Sequence, residues 1–169
     1  MSLESILISS CMTKNVKTVQ PNEGLFNVCR IMKDNGIGSV IVVDESDNDN
    51  PVGIITERDI VNYLSSPEIS LRMQVNEIMS KPLVTAQETH SLIDALQTMH
   101  KNNFRRLPIT NKEGMLVGIV TDKDILKIII KNKDLVSDLA NNKNFQFSQS
   151  MLEAYRENLF ENIFRPGVS

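Results

Sequence analysis

The sequence predicts an α+β fold in which two copies of a β-α-β-β-α unit pack about a pseudo-two-fold axis, followed by a C-terminal helical extension. The main observation is an internal repeat. The segment that begins at Met12 aligns with the segment that begins at Met79, and residues 52–61 align with residues 117–126. Within each copy, β-branched runs alternate with stretches of helical period. We therefore expect the two copies to share one architecture.

Each copy is expected to begin with a short extended segment and an amphipathic helix, then to form two strands and a second helix. The apolar stripes of the first helices consist of Leu25, Val28, Cys29 and Met32 and of Leu92, Ala95, Leu96 and Met99. The strands are predicted at 39–43, 52–56, 106–110 and 116–121, and the second helices at 58–64 and 123–131. A unit of this size cannot bury both faces of its sheet alone, so the copies should pack together. The predicted domains are 1–66, 67–132 and 133–169.

Composition narrows the function classes. The chain has 169 residues, a net charge of −3, 41% hydrophobic residues and 23% charged residues, as is typical of a globular protein. This charge balance does not favour nucleic-acid binding, and no apolar run is long enough to span a membrane. The N-terminus lacks the basic region of a secretory signal, so we expect a cytoplasmic protein. Cys11 and Cys29 are expected to be reduced, mostly buried thiols.

One turn occurs twice, at residues 53–59 (GIITERD) and 118–124 (GIVTDKD). Its threonine stands at a strand end, where the hydroxyl can cap the following helix. Its aspartate stands in the first helical turn, where two carboxylate oxygens could accept hydrogen bonds from hydroxyl groups of a ligand. The same spacing also resembles a capping box, which both copies need whether or not a ligand binds. The turn alone leaves both interpretations open.

Arg105 and Arg106 favour an anionic ligand. Neighbouring residues on a strand point to opposite faces, so one of the two guanidinium groups should point inward. Burying an unpaired guanidinium is costly, and a bound anion would remove that cost. The alternative is a solvated pair or a salt bridge to Asp59. The equivalent positions in the first copy are Gly38 and Ser39, so only the second copy carries this charge.

These residues resemble the CBS family, named after cystathionine beta-synthase. The resemblance rests on CMTKNVKTV, IMSKPLVTA, RRLPIT and the two turns, and covers about residues 9 to 131. It implies a regulatory module, not an enzyme, that requires no cofactor and binds AMP, ADP or ATP. It also implies a homodimer formed through the helices and an effector protein that the sequence does not identify. The alternatives are a structural dimerisation module without a physiological nucleotide, and a binder of an S-adenosyl compound.

The resemblance also implies two nucleotide-binding clefts. The first combines Thr56, Asp59, Ser80, Pro82, Leu83, Val84, Arg105 and Arg106, with Lys123 as a further phosphate contact. The second combines Thr13, Asn15, Val16, Gly38, Ser39, Thr121 and Asp124. Because the arginines belong to the first cleft, we expect that cleft to prefer phosphorylated ligands.

Two further expectations concern the rest of the chain. Residues 151–164 have a broad apolar face and predict a final helix, which could pack on its own domain or on a partner. The sequence contains no P-loop, zinc-ligand spacing or nucleophile elbow. We therefore predict no catalytic residues and no metal site.

Overall fold

A computed structural model describes residues 3–44, 50–67, 70, 72–131 and 135. The helices are α1 (Leu25–Asn35), α2 (Glu57–Leu64), α3 (Val75–Ile78), α4 (Leu92–Asn102) and α5 (Asp122–Lys131). The strands are β1 (Thr18–Val19), β2 (Ser39–Asp44), β3 (Asn50–Thr56), β4 (Ala86–Gln87), β5 (Arg106–Thr110) and β6 (Leu116–Thr121). Two short 3-10 helices, Leu3–Ser5 and Ile8–Ser10, precede β1. The predicted α+β class with two β-α-β-β-α copies is confirmed. The predicted helix at 151–164 lies outside the described residues.

The strands form two three-stranded sheets, with the orders β1-β2-β3 and β4-β5-β6. In the first sheet β1 runs parallel to β2, and β2 runs antiparallel to β3 with Ser39 opposite Thr56. The register shifts between Val42 and Val43, where the sheet has a bulge or irregularity. All four central residues of β2 are buried, as in a strand that is covered on both faces.

The chain forms two compact units that do not coincide with the two sequence copies. Among the described residues, one unit contains those of 3–13, of 86–107 and from 119 onward, and the other contains those of 14–85 and 108–118. We call them the α4 unit and the α1 unit after their first long helix. Each unit takes its opening segment from one copy and its first long helix from the other copy.

The hydrophobic core of the α1 unit lies between its helices and its sheet. Leu25, Val28 and Met32 supply the buried stripe of α1, as the helical spacing predicts. They cluster with buried residues of the strands and the remaining helices, namely Val19, Val40, Val42, Ile55, Ile60 and Val75. Helix α1 ends at Gly36, whose φ of 61° is left-handed and suits a residue without a Cβ.

In the α4 unit, the N-terminal segment forms backbone hydrogen bonds with the residues at the start of α4. The side chain of Ile8 is fully buried, and its N–H donates to the carbonyl of His90 at 2.9 Å. The N–H of Leu92, an unpaired donor at the first turn of α4, donates to the carbonyl of Ile6 at 2.9 Å. Ser91 caps the same helix, because its side chain accepts from the N–H of Asp94.

The α1 unit contains two equivalent backbone hydrogen bonds, and each residue in them lies 67 sequence positions from its counterpart in the α4 unit. Val75 donates to the carbonyl of Glu23 at 2.9 Å, and Leu25 donates to the carbonyl of Met73 at 3.0 Å. Val75 begins α3, a short helix that the sequence analysis did not predict. The repeat therefore extends upstream of Met12, and each opening segment completes the first long helix of the other copy.

We predict that Ile8→Ala destabilises the chain by about 2–5 kcal/mol, because it leaves a cavity beneath the N-terminus of α4. Chemical denaturation followed by circular dichroism measures this loss. Leu7→Ala is the matched control: Leu7 is 46% exposed, so its truncation should cost less than about 0.5 kcal/mol. Equal losses for the two variants would show that the N-terminal segment is not part of the core.

Candidate ligand-binding site

The first of the two repeated turns, residues 53–59, forms a complete capping box at the start of α2. The backbone N–H and the hydroxyl of Thr56 both donate to Oδ2 of Asp59, at 2.7 and 2.6 Å. In return, the Thr56 hydroxyl accepts from the N–H of Asp59 at 3.3 Å. The capping interpretation of this turn is therefore correct. Asp59 uses one carboxylate oxygen for it, and the other oxygen, Oδ1, takes no part in the cap.

Ser80 contacts that second oxygen. Its hydroxyl donates to Oδ1 of Asp59 at 3.1 Å, across 21 residues of sequence. Backbone pairing holds Ser80 in place: its N–H donates to the carbonyl of Ile54 at 2.8 Å, and its carbonyl accepts from the N–H of Ile54 at 3.2 Å. The opening segment of the second copy is thus joined to β3 of the first copy.

Gly53 allows this close pairing. A Cβ built on Gly53 would lie 2.5 Å from Sδ of Met79 and 3.3 Å from the carbonyl oxygen of Ser80. The first contact is too short for any real Cβ, although the methionine side chain is flexible. The glycine of the turn therefore leaves room for the opening segment that carries Ser80.

The second turn repeats the cap at the start of α5. The N–H and the hydroxyl of Thr121 donate to Oδ2 of Asp124, at 3.1 and 2.7 Å. Here Thr13 takes the place of Ser80: its backbone pairs with Ile119 through bonds of 2.8 and 2.9 Å. Within the described residues, no hydrogen bond joins the Thr13 hydroxyl to Asp124. The neighbour of Oδ1 is instead the ammonium of Lys127, at 4.0 Å.

Cys11 lies in the same surroundings as Asp124. Burial and, secondly, the negative charge of the Asp124 carboxylate raise the pKa of its thiol to about 11. The thiol donates to the carbonyl of Ile8 at 3.5 Å. Burial also raises the pKa of Cys29. Both cysteines are free and half-buried, whereas the sequence led us to expect mostly buried thiols.

The two arginines differ in exposure, as the alternation of strand faces predicts. Arg105 is exposed and Arg106 is half-buried. The carbonyl of Arg105 accepts from the N–H of Asp122 at 3.1 Å. In the first copy, the carbonyl of the equivalent residue Gly38 accepts from the N–H of Glu57 at 3.3 Å. Within the part of the chain that the structure describes, neither guanidinium group has a hydrogen bond or an ion pair to protein.

The predicted site residues divide between the two units. The α1 unit contains Thr56, Asp59, Ser80, Pro82, Leu83, Val84, Asn15, Val16, Gly38 and Ser39. The α4 unit contains Thr13, Arg105, Arg106, Thr121, Lys123 and Asp124. The structure thus brings Ser80 to Asp59 in one unit and Thr13 to the strand that leads to Asp124 in the other. Val84 is 37% exposed, and Pro82 and Lys123 are exposed.

The CBS domain family matches this chain twice, over residues 8–66 and 75–131. The chain belongs to the CBS domain family. An uncharacterized protein of Methanopyrus kandleri, MK0525, is 36% identical over 75% of the chain, and the matched part spans 64% of that protein. The chain thus spans slightly less than two thirds of this relative's length.

Solved CBS structures have the same fold. The CBS domain pair of protein MJ0100, in complex with 5′-methylthioadenosine and S-adenosyl-L-methionine, has a TM-score of 0.67 and 27% identity. That match covers 74% of this chain and 96% of the other. A structure of CBSX2 in complex with AMP has a TM-score of 0.66 and 20% identity. The match covers 76% of this chain and 99% of the other. At this identity it shows the shared fold alone.

Two further findings concern other kinds of site. Among its described residues, this CBS pair has no helix that is long and apolar enough to cross a membrane. Across residues 3–44, 50–67, 70, 72–131 and 135, no group of three or more His, Cys, Asp or Glu side chains could hold a metal ion. His90 and His100 are both exposed.

Sequence reasoning missed Cys11 as a neighbour of Asp124. The available signal was the repeat itself, since Cys11 aligns with Ile78, the residue before Met79. A position that is apolar in one copy and cysteine in the other indicates a partly buried thiol. The electrostatic effect of Asp124 on Cys11 depends on the pairing of Thr13 with Ile119, which the sequence does not show.

We predict that Cys11 reacts slowly with iodoacetamide at pH 8. A thiol with a pKa of about 11 carries on the order of a hundredfold less thiolate than a free cysteine with a pKa of about 8.5. In a Cys29→Ser chain, the rate should still rise about tenfold per pH unit between pH 8 and 9.5. Asp124→Asn should lower the pKa and accelerate labelling, because it removes the negative charge. A rate that levels off below pH 9.5 would contradict the raised pKa.

Proposed function

We propose that this CBS pair is a cytoplasmic regulatory module that binds an adenine nucleotide and modulates another protein, without catalysing a reaction itself. One observation carries the proposal. Each capping box uses one oxygen of its aspartate and leaves the other oxygen, Oδ1, able to accept further hydrogen bonds. A carboxylate oxygen in this position can accept ribose hydroxyls without any loss of the helix cap.

The ligands of a related structure support the adenosine part of the proposal. The MJ0100 domain pair, at 27% identity, was solved with 5′-methylthioadenosine and S-adenosyl-L-methionine, and both molecules contain adenosine. Adenosine brings a ribose to Asp59 or Asp124 and an apolar ring that needs apolar neighbours. Leu83, Val84 and Val16 belong to the opening segments and are the proposed contacts for the ring.

The proposed site residues are those that the family pattern implies. In one cleft they are Thr56, Asp59, Ser80, Pro82, Leu83, Val84, Arg105, Arg106 and Lys123. In the other cleft they are Thr13, Asn15, Val16, Gly38, Ser39, Thr121 and Asp124. We propose that the arginines contact phosphate, since a half-buried guanidinium without a protein partner is stabilised by an anion. AMP, ADP or ATP therefore fits the first cleft.

The second candidate ligand is an S-adenosyl compound. It is favoured by the MJ0100 complex and by the second cleft, where the residues equivalent to the arginines are Gly38 and Ser39. A sulfonium ligand carries no phosphate and would gain little from Arg106. The charge of the ligand therefore separates the two candidates.

We predict that AMP, ADP or ATP at millimolar concentration raises the melting temperature of the full chain. A ligand that binds only the folded state stabilises it by RT ln(1 + [L]/Kd), which is about 2.7 kcal/mol at a hundredfold excess over Kd. Thermal shift and titration calorimetry measure the effect, with S-adenosylmethionine and guanosine nucleotides in parallel. No shift and no heat with any adenine nucleotide would contradict the proposal, and a response to S-adenosylmethionine alone would favour the second candidate.

Two variants assign the contacts within this experiment. Arg106→Ala should weaken binding more as phosphate charge increases from AMP to ATP, and should hardly change adenosine binding. Asp59→Ala should weaken adenosine and AMP by a similar factor, because both contain the ribose. Equal losses across all ligands for Arg106→Ala would remove its proposed phosphate contact.

We also propose that the chain forms a homodimer through its helices and acts on an effector protein. Helix α2 supports this, because Val61 and Leu64 are 61% and 52% exposed, an unusual exposure for apolar residues of one short helix. Light scattering with size-exclusion chromatography should give twice the chain mass of 19.0 kDa. Val61→Asp with Leu64→Asp should shift the mass to that of the monomer. A monomeric unmodified chain at high concentration would contradict the dimer.

A further inference from the structure

We propose that Ser80 determines how strongly the Asp59 cleft distinguishes ribose from 2′-deoxyribose. This inference rests on the proposed binding of adenine nucleotides and adds a specificity role within one of the two clefts. The geometry points to it because the Ser80 hydroxyl already occupies the oxygen of Asp59 that a ribose would approach. In this role Ser80 is an internal competitor of the ligand.

The Asp59 carboxylate already accepts three hydrogen bonds from protein donors. An ionised carboxylate offers about four lone-pair positions, two on each oxygen. Oδ2 of Asp59 accepts from the N–H and the hydroxyl of Thr56, at 2.7 and 2.6 Å, so both of its positions are filled. Oδ1 accepts from the Ser80 hydroxyl at 3.1 Å. One position therefore remains for a ligand.

Asp124 has more capacity for a ribose. Its Oδ2 accepts the same two bonds from Thr121, at 3.1 and 2.7 Å. Its Oδ1 accepts no hydrogen bond from a described residue, and its neighbour is the ammonium of Lys127 at 4.0 Å. That ion pair is loose, since the Lys127 side chain is 68% exposed, and such pairs contribute little. Two positions therefore remain on Oδ1.

The two clefts should consequently treat the ribose diol differently. The 2′ and 3′ hydroxyls of a ribonucleotide supply two donors, whereas a 2′-deoxynucleotide supplies one. At Asp124 both ribose hydroxyls can be accepted at once. At Asp59 the second hydroxyl binds only after the Ser80 hydroxyl turns away, so the gain from the 2′ hydroxyl is offset by the loss of an internal bond.

The experiment isolates the Asp59 cleft with Asp124→Ala and measures the affinities of AMP and 2′-deoxy-AMP by calorimetry. Adding Ser80→Ala should tighten AMP about two- to tenfold, the equivalent of one net hydrogen bond, and should change the affinity of 2′-deoxy-AMP less. The matched control adds Ser65→Ala instead. The Ser65 hydroxyl donates to the carbonyl of Val61 at 2.8 Å and not to Asp59, so both affinities should stay the same. An Asp59→Ala chain reports the other cleft and should show the larger preference for AMP over 2′-deoxy-AMP.

The outcomes separate this inference from the proposed function. AMP binding that is unchanged or weaker in the Ser80→Ala chain contradicts competition by Ser80, and leaves adenine nucleotide binding intact. A tightening of AMP that also occurs with Ser65→Ala contradicts it as well, because the effect would not depend on the bond to Asp59. Absence of any adenine nucleotide binding by the unmodified chain contradicts the proposed function, and the role of Ser80 with it.

Discussion

The rest of the structure depends on the backbone pairing between the third strand of each copy and the opening segment of the other copy. Ile54 pairs with Ser80, and Ile119 pairs with Thr13, at equivalent positions of the repeat. Hydrogen bonds of this kind satisfy peptide groups that would otherwise be left unpaired at the side of a short sheet. Because the pairing crosses from one copy to the other, an isolated copy cannot make it. One copy alone would lack the opening segment that pairs with its third strand and that completes the start of its first long helix.

The same constraint builds the candidate site. The capping box is local, since Thr56 and Asp59 are three residues apart and would form in any helix that begins there. The other groups of the site belong to the two opening segments. The opening segment of the second copy brings Ser80 to Asp59, and that of the first copy brings Cys11 into the surroundings of Asp124. A ligand that contacts both the cap and the opening segment would therefore stabilise the association of the two copies.

Local patterns explain which features the sequence could predict. Strands β5 and β6 and the stripe of α1 follow regular periods, and the structure has them at the predicted positions. Helix α3 has only four residues, too few for a period, and it is defined by its contact with the start of α1. The contact of Ser80 with Asp59 spans 21 residues and depends on strand register, which no local pattern encodes. The turns could be found from the sequence, whereas the groups that modify their aspartates could not.

The turn motif alone therefore does not determine which ligand each aspartate would prefer. Both turns place the same two donors on Oδ2, so the motif itself gives the two aspartates the same helix cap. The difference lies at Oδ1, where one aspartate accepts from a neutral hydroxyl and the other lies 4.0 Å from the exposed ammonium of Lys127. In either case the capping oxygen is already committed, so a ligand can be gained or lost without any cost to the start of the helix. Ligand preference can therefore change through positions such as 13 and 80, outside the motif, while the motif is retained for its structural role.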